Sequence, residues 1–306
     1  MSLKNNLRTE TEWEIIENTF NPDQLITTGS NFMIGNGYLG YRGTFEEWEA
    51  KEYVACVVTD TWDRAEGSKW SELCNVPNGL FTQLFVDGEL LSAFSGETQE
   101  HNRALHLKYG TNRRSVVWQS RAGKRVELNT EKFASYDNHH LLVMRYSFKA
   151  LNKGTYKVVT GIDGRVWSIN GEHFKSYEPF ENEGLVGLKM KTIEPGAEVV
   201  VTEGIKLNGA PKSSKILEED KRLLREYVFE LEADEEVAFE KVVAITHSNE
   251  LEHPLKIAKE EVKSGLEQGY ASLKSVHQQK WEEIWRISDI QIAGHSEAQV
   301  LARFNI

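Results

Sequence analysis

From about residue 12 to 247, apolar residues recur at every second position in short runs broken by glycine-bearing turns. A period of two sends alternate side chains to opposite faces, so this pattern dictates antiparallel sheets and argues against a parallel α/β fold. The clearest hairpin is Phe81 to Phe94, where Asp87-Gly88 supplies the positive φ angles of a tight turn. A second is expected from Ser115 to Leu128, turning near Ala122-Gly123. Leu142, Met144, Tyr146 and Phe148 fall on one face of a strand, with Val143, Arg145, Ser147 and Lys149 on the other. Further strands are predicted at Lys157 to Thr160, Leu185 to Lys191, Glu198 to Leu207, Tyr227 to Leu231 and Val237 to Thr246. So many strands without helices between them predict a large sandwich.

The pattern changes at Pro254. Apolar residues then recur every three or four positions, from Leu255 and Ala258 to Trp281 and Trp285, predicting a helix or a helix pair bent near Gly265 or Gly269. Ser296-Glu297-Ala298-Gln299 has capping-box spacing and predicts another helix start, with Leu301 and Phe304 as its apolar face. No glycine or proline closes that helix before Ile306. An isolated helix of about ten residues needs something to pack on. The expectation is a chain cut inside the first helix of a further domain, the other reading being a C-terminal helix docked on the sandwich.

Charge narrows the partners. Against 36 basic residues stand 47 acidic ones, a net charge of −11, and the basic residues are scattered, so nucleic acid and anionic membranes are not expected to bind. No apolar run approaches the roughly 20 residues of a membrane-spanning helix. The N-terminal Met-Ser-Leu-Lys-Asn-Asn has no apolar signal core, and two cysteines, Cys56 and Cys74, make no disulfide framework, so a cytoplasmic protein is expected.

Several motifs invite chemistry. Gly35-Asn36-Gly37-Tyr38-Leu39-Gly40 fits G-x-G-x-x-G, but no helix periodicity follows, so a glycine-rich turn between close strands is expected instead of a dinucleotide site. Glu46-Glu47-Glu49 and Asp60 with Asp63 are local carboxylate groups, read as solvated turns. His101 with His106, and the pair His139-His140, lack metal-ligand spacing, and adjacent strand residues point to opposite faces; no metal is expected. Cys56 lies in an apolar strand and reads as a buried small hydrophobe, while nothing beside Cys74 would activate it. The stretch Thr59 to Gly79 reads as a long irregular loop carrying Asp60, Trp62, Asp63, Trp70 and Asn78, candidates for contact with a carbohydrate or a neighbouring domain.

An ordered series of segments resembles glycoside hydrolase family 65, whose members include maltose, trehalose, kojibiose and nigerose phosphorylases. It comprises Ile34-Gly35-Asn36-Gly37-Tyr38-Leu39-Gly40-Tyr41-Arg42-Gly43-Thr44-Phe45-Glu46-Glu47, then Glu72 to Asn78, the Val86-Asp87-Gly88-Glu89 hairpin, and Arg103 to Gly110 with Arg113-Arg114. Gly161-Ile162-Asp163-Gly164 and Trp281 to Ile306 complete it. His106 stands where the family carries aspartate, which puts a local salt bridge in doubt. The resemblance implies a mainly β, galactose mutarotase-like antiparallel β-supersandwich over residues 1–250, linker helices over 251–288 and the start of an (α/α)6 barrel over 289–306. It places the catalytic acid and the phosphate-binding residues in that barrel, so no catalytic, cofactor or metal residue transfers to this chain.

The leading reading is a non-catalytic domain supporting the barrel of the same parent chain and a homodimer, with Trp281 and Trp285 left as an apolar patch. The implied parent reaction is inverting phosphorolysis of an α-linked gluco-disaccharide to β-glucose 1-phosphate, with inorganic phosphate as co-substrate. Alternatives are a stand-alone carbohydrate-binding module using Trp62 or Trp70, a domain of a family hydrolase acting on trehalose-like sugars, and a small glycosidase using Asp60, Asp63 or Glu47.

Overall fold

The computed structural model describes residues 7–306. The N-terminal hexapeptide, read above for a signal segment, lies outside the described residues. Nineteen strands lie among them, beginning with β1 (Leu7–Arg8), β2 (Glu14–Glu17), β3 (Ile34–Gly35), β4 (Leu39–Tyr41), β5 (Cys56–Asp63) and β6 (Glu72–Asn75). Then come β7 (Thr82–Val86), β8 (Glu89–Leu90), β9 (Glu97–His106), β10 (Thr111–Gln119), β11 (Arg125–Ala134), β12 (Leu141–Ala150) and β13 (Gly154–Asp163). The last six are β14 (Phe174–Asn182), β15 (Leu185–Thr192), β16 (Glu198–Asn208), β17 (Ser213–Glu219), β18 (Arg222–Leu231) and β19 (Glu236–His247). Helices are α1 (Leu25–Asn31), α2 (Pro254–Gln268), α3 (Tyr270–Ser288) and α4 (Ser296–Phe304).

The strands form a ten-stranded sheet in the order β1-β2-β9-β10-β11-β12-β19-β16-β15-β14, a five-stranded sheet β17-β18-β13-β7-β8 and a four-stranded sheet β3-β4-β5-β6. The two smaller sheets close over one face of the large one. Leu142, Met144, Tyr146 and Phe148 of β12 enter that main core, in the phase the sequence predicts. The opposite phase is covered too, because Leu141 and Val143 pack beneath Ala258 and Val262 of α2 and Leu273 of α3. The helices thus form a third layer. The helical stretch breaks at Gly269, whose φ of +78° needs glycine.

The Asp87-Gly88 turn has φ of 47° and 86°, as the hairpin requires. Strands β1, β2, β6, β9, β14 and β17 are not among those predicted. Residues 59–79 are also more regular than expected, since β5 and β6 pair as a hairpin with Trp62 opposite Leu73. At the far end, His295 caps α4 by accepting from the Ala298 amide at 3.1 Å, so Ser296 is the first helical residue and not the cap. Gln299 reaches the Ile290 carbonyl at 2.7 Å and so pins the preceding loop. Helix α4 packs on the sandwich through buried Val300 and through Arg303, whose guanidinium lies 3.6 Å from the Trp13 ring centre.

Trp281 and Trp285 face inward instead of forming an exposed patch. Trp285 donates to the Lys108 carbonyl at 2.9 Å and meets Trp13 edge to face, while Trp281 packs on Tyr136. Ile287 and Ile290 are the exposed apolar residues of this segment.

Candidate functional site

The glycine-rich segment 35–47 ties the domain's layers together. Gly35 and Gly40 are paired across the β3–β4 turn, and Asn36 Oδ1 accepts from the Tyr38 and Leu39 amides at 3.1 and 2.9 Å. The Asn36 amide group donates to the carbonyls of Ser135 and His139 at 2.6 and 2.9 Å. Such side-chain bridges close the turn without any ligand. Gly43 is required for space, since a Cβ there would fall on the Phe32 carbonyl group. This is the strand-to-strand turn that the missing helix periodicity predicts.

Glu46 and Glu47, expected in a solvated turn, are buried instead. Glu46 accepts from Lys132 Nζ at 2.8 Å, Thr130 Oγ1 at 3.1 Å and Arg114 Nη1 at 3.1 Å. Glu47 receives Arg114 in bidentate fashion at 2.6 and 2.9 Å. Burial alone would raise the Glu46 carboxyl, but Lys132 and Arg114 outweigh it and hold it down at about 2. A second buried pair joins Arg103 to Glu17 with two bonds of 3.0 Å. These carboxylates are locked as structural anions.

The five candidate contact residues divide by orientation. Trp62 and Trp70 on the β5–β6 hairpin are 52% and 59% exposed. Asp60 is exposed as well, in left-handed backbone at φ 60°. Asp63 and Asn78 point inward and are occupied. Asp63 accepts from the Glu194 amide at 2.8 Å and lies 3.1 Å from His173 Nδ1, while Asn78 Oδ1 accepts from the Leu80 amide and the Tyr41 hydroxyl, both at 3.0 Å. His173, on to Glu72 at 2.7 Å, links the hairpin to the 165–173 loop. Between hairpin and loop lies a groove of about 260 Å³ lined by Val57, Leu73, Trp167 and Ile169. The β5–β6 hairpin therefore offers two exposed indoles and an exposed carboxylate, and it forms one wall of an apolar groove. Cys56 and Cys74 are both buried, and burial pushes both thiols up to about 12, so neither is a nucleophile.

His139 and His140 correct a premise. They lie in the turn between β11 and β12, not in a strand, and both reach one carboxylate: Nε2 of each is 3.2 Å from Glu250. Sequence reading missed this cluster because Glu250 is more than a hundred residues away.

A three-layer, mainly β domain with peripheral helices, stitched by buried ion pairs around a Gly-Asn-Gly-Tyr turn, defines a large antiparallel β-sandwich. The chain belongs to glycosyl hydrolase family 65, matching the family's N-terminal domain over residues 15–284. It is 39% identical over 300 residues to the 1,2-alpha-glucosylglycerol phosphorylase of Bacillus selenitireducens, covering 98% of this chain and 39% of that protein. It is 30% identical over 322 residues to the nigerose phosphorylase of Lachnoclostridium phytofermentans, covering 96% of this chain and 42% of that protein. A solved structure of a putative kojibiose phosphorylase from the human microbiome has the same fold over 99% of this chain and 42% of its own, with a TM-score of 0.88 at 20% identity. The chain thus spans about two fifths of the length of these relatives.

Proposed function

We propose that this chain is the non-catalytic N-terminal portion of an α-glucoside phosphorylase, supporting a helical catalytic region and a homodimer. The observation that carries the reading is the family match along residues 15–284, together with relatives named as glucoside phosphorylases. In this reading residues 1–250 are the sandwich, 251–288 the linker helices and 289–306 the start of the barrel. The switch from strand to helix at Pro254 supports that division. The parent reaction would be inverting. Phosphate oxygen bonds to the anomeric carbon as the glycosidic bond breaks on the opposite face, and one carboxylic acid protonates the leaving oxygen. Such an acid must hold its proton near neutral pH, whereas Glu46, Glu17, Glu131 and Glu250 are all held below the ordinary carboxylate value. They serve structure.

The test is an exchange. The chain alone, given phosphate with nigerose or glucosylglycerol, should release no β-glucose 1-phosphate. Substituted for the matching segment of the Bacillus selenitireducens enzyme, it should give a folded phosphorylase that keeps that enzyme's substrate preference. Release of the sugar phosphate by the isolated chain would overturn the reading.

The exposed Trp62 and Trp70 favour one second reading, direct sugar contact by stacking. It predicts a saturable change in tryptophan fluorescence on titration with α-linked disaccharides, lost in Trp62→Ala or Trp70→Ala. A flat titration leaves these indoles as contacts for a protein surface.

A further inference from the structure

Three imidazoles converge on one carboxylate at the edge of the helical layer. His139 and His140 come from the β11–β12 turn, His247 ends β19, and Glu250 follows three residues later. His139 Nε2 and His140 Nε2 stand 3.2 Å from the two Glu250 oxygens, and His247 Nε2 stands 3.8 Å from one of them. The candidate donor atoms of His139, His140 and Glu250 all lie within 4.8 Å of one another. Donors on a tetrahedral zinc ion at about 2.0–2.1 Å are separated by about 3.3 Å, so these three close on an ion by an approach of up to about 1.5 Å, with His247 joining from beside Glu250.

Two independent features point to an ion in the middle. The first is His247, only 1% exposed, with both ring nitrogens buried and without a hydrogen-bond partner. Leaving such a group unsatisfied is costly unless something else satisfies it. The second is the support behind His140. Its Nδ1 meets the Glu261 carboxylate of α2 at 2.9 and 3.0 Å, which fixes the ring and turns Nε2 toward Glu250. A carboxylate behind a histidine, orienting its other nitrogen, is the usual outer shell of a metal ligand. The turn itself is held by Asn36, through the His139 carbonyl, and by Asn138, which accepts from the His140 amide at 3.1 Å. Tyr38 stacks on His247, closing the inner side, while His139 remains half exposed as the entry.

We propose that His139, His140, His247 and Glu250 form a site for one divalent transition cation of the zinc class. Imidazole donors select borderline ions of this kind over magnesium or calcium. The ion would staple the β11–β12 turn to the end of β19 and, through Glu261, to α2, a structural role separate from any sugar chemistry.

The test uses the 306-residue chain after treatment with a chelator. One equivalent of Co2+ should produce the visible absorption of a tetrahedral site, and Zn2+ should displace it. His139→Gln, at an exposed position, and Glu250→Gln should each weaken Zn2+ binding at least tenfold while the circular dichroism stays that of the parent. His106→Gln, remote from the cluster, should bind as the parent does. Absence of stoichiometric binding overturns the proposal, and so does binding that survives His139→Gln unchanged.

Discussion

Replacing Glu46 by alanine is expected to lower the domain's stability by about 3–5 kcal/mol. The carboxylate is 1% exposed and sits between Lys132 and Arg114, themselves buried. Its removal leaves two cations with Glu47 as the remaining carboxylate of the group, and Lys132 keeps only the Thr44 carbonyl at 2.6 Å. Burial already pulls the Lys132 ammonium below its ordinary value even with Glu46 present. An uncompensated charge in that place costs far more than the pair contributes when intact. Equilibrium unfolding in urea, followed by circular dichroism, reads the effect, and a loss below about 1 kcal/mol would refute the account. Glu46→Leu combined with Lys132→Met should recover part of the loss, because two apolar side chains leave one cation and one anion matched. The acid dependence has a defined sign. With its folded value near 2, Glu46 contributes fully above the ordinary carboxylate range, and the contribution disappears as pH falls from about 4.5 toward 2.

The second large effect concerns the attachment of α3 and runs through a milder pH range. His277 is completely buried, stacked on Phe133 with ring centres 4.5 Å apart. Its Nε2 donates to the Tyr109 carbonyl at 2.6 Å, and its Nδ1 accepts from the Tyr136 amide at 3.1 Å. Both nitrogens are therefore committed to the neutral ring. A second proton would point at the Tyr136 N–H, and burial pushes the imidazole down to about 4. The unfolded chain takes up this proton near pH 6.5 and the folded one only near 4. Stability should fall across that window, by about 3 kcal/mol in total, and the loss is complete below it. His277→Gln should be less stable at pH 7 yet show a shallower decline from pH 7 to 4. Comparing slopes separates titration from lost packing; parallel slopes would refute the assignment.

Sequence reading recovered what depends on local periodicity and missed what depends on distant partners. Strand β12 was legible because one face is apolar throughout, and β19 because its core face is apolar except at Lys241. Strand β17 was not, because nearly every side chain in Ser213–Glu219 is exposed and neither face carries a pattern. Glu46 looked like a solvated acid because its partners are 68 and 86 residues away. A signal existed, since Arg114 continues the inward phase of Val116 and Trp118, and Lys132 that of Leu128 and Thr130. Charged residues in phase with a buried face imply a buried partner of opposite charge. Lys241 of β19 also sits in the core phase, but its partners are neutral: it donates to the Gly161 carbonyl at 2.9 Å and to Thr160 Oγ1 at 3.0 Å. Among the candidate contact residues, composition alone does not separate the exposed Trp62 and Trp70 from the buried Asp63 and Asn78, since the pairing of β5 with β6 and the bridge of Asn78 to Asp163 decide which way Asp63 and Asn78 point.

The docking of α4 on Trp13 has a temporal meaning. Arg303 also donates to the Glu12 carbonyl at 2.9 Å, a bond spanning 291 positions. During synthesis the segment around Glu12 leaves the ribosome long before its partner exists. At about 5–20 residues per second, roughly 15–60 s pass before Arg303 emerges. For nearly all of that interval the indole of Trp13 also lacks Trp285, and from the emergence of Ala150 to that of His247 β12 waits for β19 to complete the middle of the large sheet. The nascent domain therefore carries an open apolar face at Trp13 for most of the synthesis of these residues and an unpaired β12 edge for about a third of it, which makes this the period when a chaperone would matter most.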